Sequence, residues 1–130
     1  MGQRDLREVG KRMGERLWGK SRFERMERSG RDMNEGFWDL ALAAWALYDR
    51  PGLEPKMRSL CLVAALTALG REDELRLHIF GALNNGASKQ EIEETIVQVA
   101  PYGGLPLARG ALRVAVSGGQ GQGRFKSSQS

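Results

Sequence analysis

Apolar side chains recur along this chain at intervals of three and four residues, the spacing that places them on one face of an α-helix. The first such stripe lies within residues 4–18 and consists of Leu6, Val9, Met13 and Leu17. A second begins after a capping residue, Asp32 or Asn34, and consists of Phe37, Leu40, Ala41, Ala44, Trp45 and Tyr48. The charged segment 21–29 between them predicts only a short helix.

Turn and capping signals mark further helices in the second half of the chain. A helix is predicted from Pro55 to Gly70, because proline suits a first turn and glycine suits a C-terminal cap. Another is expected over 72–84, where three acidic residues stand at the positive end of the helix dipole. Residues 88–91 form a capping-box pattern for the next helix, which we expect to break at 101–104, ahead of a last helix ending near Ser117.

The pattern as a whole predicts an all-α fold of about six helices, since no alternating run between turn residues indicates a hairpin. We expect a single domain over 1–117, with a basic helical extension at 1–31. The Gly-, Gln- and Ser-rich segment 118–130 is expected to be disordered. The apolar residues of 37–48 and 60–69 exceed what one small layer buries, which predicts a homo-oligomer.

Composition and charge exclude several classes of function. The net charge is +4, but residues 32–117 carry eight Lys and Arg against eleven Asp and Glu, so no nucleic-acid partner is expected. One cysteine and one histidine exclude a disulfide framework and most zinc sites, so no metal site is expected. The longest apolar stretch, 40–48, falls short of the roughly twenty residues of a membrane span, and the first ten residues lack a secretory signal. We therefore expect a cytoplasmic protein without a membrane partner.

The most specific chemical signal is a carboxylate and an imidazole four residues apart. Glu74 and His78 fall on one face of the predicted helix 72–84. A carboxylate in this position can orient the imidazole and raise its basicity, as general acid–base catalysis requires. The same spacing also describes a helix-surface pair without a catalytic role.

Three other side chains are candidates for binding a ligand, and each has a structural alternative. Arg58 can bind a carboxylate through two parallel hydrogen bonds, or form an ion pair with Glu54 at the start of the same helix. Tyr102 precedes two glycines in a turn that can approach a ligand or form a tight connection. Trp45 is a candidate for substrate contact or for the core, and Cys61 is expected to be a buried small hydrophobe.

Taken together, these residues resemble a known family. The matching stretches run in order along the chain and comprise Arg58-Ser-Leu, Ala64–Gly70, Glu74–His78, Gly81–Gly86, Glu91–Glu94 and Tyr102–Ala108. Residues from about 37 to 116 closely resemble the carboxymuconolactone decarboxylase family, a small all-helical fold shared with alkylhydroperoxidase D proteins. The peroxidase branch carries a CxxC pair where this chain has Arg71 and Glu74, so dithiol peroxide chemistry is not expected.

The resemblance implies a cofactor-independent decarboxylase that converts a small carboxylated lactone to 3-oxoadipate enol-lactone in aromatic catabolism, and that assembles as a hexamer. It implies His78 as proton donor with Glu74 orienting or activating it, although these two roles are interchangeable. Arg58 would hold a carboxylate or the developing oxyanion, and Trp45 and Tyr102 would contact substrate. The alternatives are a relative that acts on another small carboxylated or enolisable substrate or binds one without catalysis, and a peroxide reductase using Cys61 alone.

Overall fold

The computed structural model describes the backbone of residues 5–129 and the side chains of residues 5–117, and the described residues form α-helices and one 3₁₀ turn and include no strand. The all-α prediction is confirmed, with seven α-helices rather than about six because segment 21–29 belongs to a full helix. The elements are α1 (Leu6–Trp18), α2 (Lys20–Met33), α3 (Glu35–Ala46), the 3₁₀ turn (Leu47–Asp49), α4 (Pro55–Leu69), α5 (Glu72–Asn84), α6 (Lys89–Gly103) and α7 (Leu105–Gln129). The expectation of disorder at 118–130 stays a prediction, since side chains are described only for residues 5–117.

The chain divides into two compact units, Met1–Pro55 and Lys56–Ser130. The expectation of a single domain over 1–117 therefore stays a prediction. In the first unit α1, α2 and α3 pack around a core of aromatic side chains. A side chain at Gly10 would collide with the carbonyl oxygen of Leu42, so glycine at this position is what allows α1 and α3 to approach so closely.

The core of the second unit draws its side chains from all four of its helices. Its buried members are Val63, Leu75, Ile79, Ala82, Ala87, Ile92, Ile96, Ala108, Ala111, Val114 and Ala115. The turn between α4 and α5 forms because Gly70 adopts φ +72°, which lets the Arg71 N–H donate to the Leu66 carbonyl. The predicted capping box opens α6: Ser88 Oγ accepts from the Glu91 N–H, and the Glu91 carboxylate accepts from the Ser88 N–H.

The expected break at 101–104 falls at the last residue of that range. α6 continues through Pro101 to Gly103 and ends at Gly104, whose φ of +114° no longer follows the helix. Proline near the end of a helix costs one backbone hydrogen bond, and the turns before it supply enough of the others to carry the helix past it.

One expectation about burial is wrong, and one apolar stripe lies partly at the surface of the single chain. Phe37 and Leu40 are 53% and 71% exposed, and the buried residues of α3 are Trp38, Leu42, Trp45 and Ala46. Cys61, expected to be buried, is exposed. On α4 the buried positions are Ser59, Val63 and Thr67, and a residue two positions after the first of them faces the opposite way on a helix.

Candidate active site

The carboxylate–imidazole pair forms on α5 as the helical spacing predicts. Leu75 and Ile79 anchor this helix in the core of the second unit, and His78 stands at the edge of the face that they define. The His78 Nε2 atom lies 4.0 Å from Glu74 Oε2. This separation is too long for a direct hydrogen bond but leaves the two groups in electrostatic contact.

The two partners differ in their access to solvent. The His78 side chain is 15% exposed, whereas that of Glu74 is 51% exposed. Burial lowers the pKa of His78, and the negative charge of Glu74 acts in the opposite direction but does not outweigh it. The imidazole is therefore mainly neutral at neutral pH, and a second anion brought close to it would favour its protonation.

Arg58 lies in the first part of α4 and is half-buried. Its neighbour Ser59 is buried, and Ser59 Oγ accepts a hydrogen bond of 3.0 Å from Asn85 Nδ2, at the C-terminal cap of α5. Two residues before Arg58, Lys56 Nζ lies 3.1 Å from a carboxylate oxygen of Glu91 on α6. These two contacts fix the beginning of α4 against the end of α5 and the beginning of α6.

The sequence does not identify the contact between Ser59 and Asn85. The only signal for it is a serine inside an otherwise apolar helix and an asparagine at a helix end. Both have common local explanations, a hydroxyl bonded to its own helix and a helix stop. A contact across 26 residues of sequence becomes visible only when α4 and α5 are folded together.

Tyr102 lies in the last turn of α6, and its side chain is 87% exposed. A Cβ at the adjacent Gly103 would lie 3.5 Å from the Cα of Ala68, so this end of α6 packs against the end of α4. Arg58 lies ten residues before Ala68, about 15 Å along the helix. The structure thus places Arg58 and Tyr102 near opposite ends of α4.

Trp45 belongs to the first unit, where it is largely buried among other aromatic rings. Its ring centroid lies 5.4 Å from that of Trp38, 5.9 Å from Phe23 and 6.1 Å from Trp18. These edge-to-face contacts account for the tryptophan as a core residue. The expectation that Trp45 also contacts substrate stays a prediction.

Two broader properties concern the described residues 5–117. Within them, no three His, Cys, Asp or Glu side chains are grouped as the ligands of a metal ion would be. None of the helices in this range is both long enough and apolar enough to cross a membrane.

Comparison with known proteins shows which sequences this chain is similar to. Over 86 residues the chain is 43% identical to the 4-carboxymuconolactone decarboxylase of Acinetobacter baylyi, an alignment that covers 65% of this chain and 64% of that protein. It is 41% identical over 64 residues to the nitrosuccinic acid decarboxylase of Metarhizium robertsii, covering 48% of this chain and 45% of the fungal protein. An uncharacterized 15.0 kDa protein of Paracoccus denitrificans is 43% identical over 72 residues, covering 54% of each chain. The chain thus spans less than two thirds of the length of each of these relatives.

A family match covers the same part of the chain. Residues 32–117 match the carboxymuconolactone decarboxylase family, and this range includes all five candidate site residues, Trp45, Arg58, Glu74, His78 and Tyr102. The resemblance inferred from the sequence motifs is therefore confirmed. Because the match takes in more than half of its residues, the chain belongs to the carboxymuconolactone decarboxylase family.

Proposed function

We propose that this protein is a cofactor-independent decarboxylase of a small carboxylated lactone. The observation that carries the proposal is the pair of Glu74 and His78, with a half-exposed carboxylate 4.0 Å from a largely buried imidazole. The Acinetobacter relative, named as a 4-carboxymuconolactone decarboxylase, supports this choice of substrate.

The reaction needs little from the protein beyond placement and a proton. The bond between the ring carbon and the leaving carboxylate breaks, and CO₂ departs without its bonding electrons. Those electrons move through the ring C=C bond onto the lactone carbonyl oxygen and form a dienolate. A proton delivered to the α-carbon then gives the product lactone, so the substrate acts as its own electron acceptor.

In this scheme His78 delivers the proton. Burial keeps the imidazole mainly neutral in the free protein, and the negative charge of a bound carboxylate substrate raises its pKa. His78 is then protonated when substrate is present and donates to the α-carbon. Glu74 supports the imidazolium electrostatically, either directly or through a bridging water.

Arg58 is the proposed anchor for a substrate carboxylate. A guanidinium can offer two parallel N–H groups to the two oxygens of a carboxylate, which fixes both position and orientation. The contacts of Ser59 with Asn85 and of Lys56 with Glu91 hold the helix that carries Arg58. Tyr102, near the other end of α4, and Trp45, in the first unit, have no step in this scheme, and their contact with substrate stays a prediction.

A second candidate substrate is a small nitro-acid, which the name of the Metarhizium relative favours. In nitrosuccinic acid the electrons left by CO₂ pass to a nitro group rather than to a lactone carbonyl. The demands on the protein are the same: a carboxylate anchor, stabilisation of a delocalised anion and a proton donor.

Purified protein assayed separately with 4-carboxymuconolactone and with nitrosuccinic acid, without added metal, tests the proposal. We expect CO₂ release with one of them, and its rate should fall in His78→Gln but not in Glu94→Gln, which neutralises an exposed carboxylate on α6. If neither acid is decarboxylated, the proposed activity is wrong. If both variants keep the rate of the parent, the activity stands but its assignment to His78 is wrong.

A further inference from the structure

A groove on the second unit lies outside the site proposed above. It has a volume of about 660 Å³ and is formed by α6 and α7, within the range of small-molecule sites. Its apolar lining is provided by Val97, Ala100, Leu105, Ala108, Leu112 and Val116. None of the residues proposed for catalysis is among the described residues that line it.

The groove leaves large apolar side chains in contact with water. Leu105 is 67% exposed, Val97 is 49% exposed and Val116 is 47% exposed. A contiguous apolar surface of this kind, rimmed by polar groups, is typical of a binding site. Its concave shape favours a small molecule that fills it.

The charged groups that line the groove are all positive. Arg109 and Arg113 line it four residues apart on α7, and the described lining contains no carboxylate. Among residues 5–117 neither guanidinium has a hydrogen-bond or ion-pair partner. Ser117, at one end of the groove, accepts a hydrogen bond of 3.1 Å from Arg76 on α5, which brings a third guanidinium to that end.

Two like charges at this helical spacing repel each other unless an anion lies between them. A groove with an apolar floor and cationic side chains at its rim favours a molecule that has both an apolar body and an anionic group. We propose that the groove between α6 and α7 binds a free organic carboxylate with an apolar body, its carboxylate between Arg109 and Arg113 and its chain on the apolar lining.

Calorimetric titration with two ligands of the same chain length tests this proposal. Decanoate carries a carboxylate, and decanol presents the same apolar chain without the charge. We expect the protein to bind decanoate on the order of tenfold more tightly than decanol, the difference that charge-assisted hydrogen bonds to two exposed guanidiniums would give. Equal affinity for the two would overturn the proposal, since the arginines would then contribute nothing.

Variants of the lining residues test whether decanoate binds in this groove. The double change Arg109→Gln and Arg113→Gln should abolish the preference for decanoate, whereas Arg25→Gln with Arg28→Gln, which removes the same charge from α2, should keep it. Leu105→Glu is a third variant at an exposed position. Its carboxylate lies four residues from Arg109, so it should pair with that arginine and compete with the ligand.

The alternative occupant of the groove is a second copy of this chain. In that case neither ligand would bind, and Leu105→Glu would lower the mass of the assembly measured by analytical ultracentrifugation. That pair of results would overturn the proposal and assign the groove to a contact between copies. The proposal is supported if the parent protein binds decanoate and the Leu105→Glu variant does not, while the mass of the assembly is the same in both.

Discussion

The proposed roles of His78 as proton donor and Glu74 as its electrostatic partner lead to a quantitative prediction. His78→Gln preserves hydrogen-bonding capacity and approximate size but removes the proton that the reaction needs. We expect the decarboxylation rate to fall on the order of 10²–10⁴-fold, the usual contribution of a positioned general acid.

Glu74→Gln should have a much smaller effect. Its carboxylate is half-exposed and lies 4.0 Å from the imidazole, and a pair of this kind contributes at most about 1 kcal/mol. The rate should therefore fall by no more than about fivefold if Glu74 acts only through the charge of His78. Adding Glu74→Gln to His78→Gln should have no further effect, because the two groups act as a unit.

The pH dependence of kcat/KM provides an independent readout of the same pair. It should decline as pH rises through the pKa of His78 in the free protein, which burial places below 6.5. Glu74→Gln removes a charge that raises this pKa, so the decline should move to lower pH.

Spectrophotometric progress curves across this pH range measure both effects, and Glu94→Gln serves as the control carboxylate. Circular dichroism melts must show that every variant is folded. A His78→Gln variant within about threefold of the parent would refute proton donation by the imidazole. A loss of a hundredfold or more in Glu74→Gln would make the carboxylate the proton donor instead.

Further predictions concern stability, substrate binding, the thiol and assembly. Because burial lowers the pKa of His78 in the folded state, the unfolded chain takes up the proton first as the pH falls. Urea titrations should therefore show a free energy of unfolding that is higher above pH about 6.5 and falls below that pH. The pH dependence due to this group should be absent from His78→Gln. Arg58→Lys keeps the charge but loses the paired geometry, so steady-state kinetics should show a higher KM or a lower kcat. Cys61→Ala should change stability by less than about 0.5 kcal/mol and leave turnover intact, since the thiol is exposed; a large loss of turnover in the folded variant would favour thiol chemistry. Native mass spectrometry is expected to give a hexamer of the 14.4 kDa chain, and a stable monomer would contradict that expectation.

The sequence alone determined those features that depend on residues within about one helical turn of each other. Capping groups located the beginning of α6 and narrowed that of α3 to Asp32 or Asn34, since Asn34 and Ser88 hold backbone N–H groups only three residues away. Gly70 located the end of α4 because few other residues adopt its backbone conformation. The spacing of Glu74 and His78 placed them on one face for the same reason, as a helix brings residues four apart together wherever it lies.

Which face of each helix is buried, and what that burial does to its side chains, follows from the packing of the helices against one another. α3 and α4 are apolar on most sides, so their sequences do not distinguish Trp38 from Phe37, or Val63 from Cys61, as the inward residue. The same holds for the site: the charge of Glu74 alone would raise the pKa of His78, and it is the desolvation imposed by packing that lowers it. The contact between Ser59 and Asn85 and the groove between α6 and α7 likewise join residues from different helices. Helical periodicity relates residues along one helix, and only packing relates one helix to another.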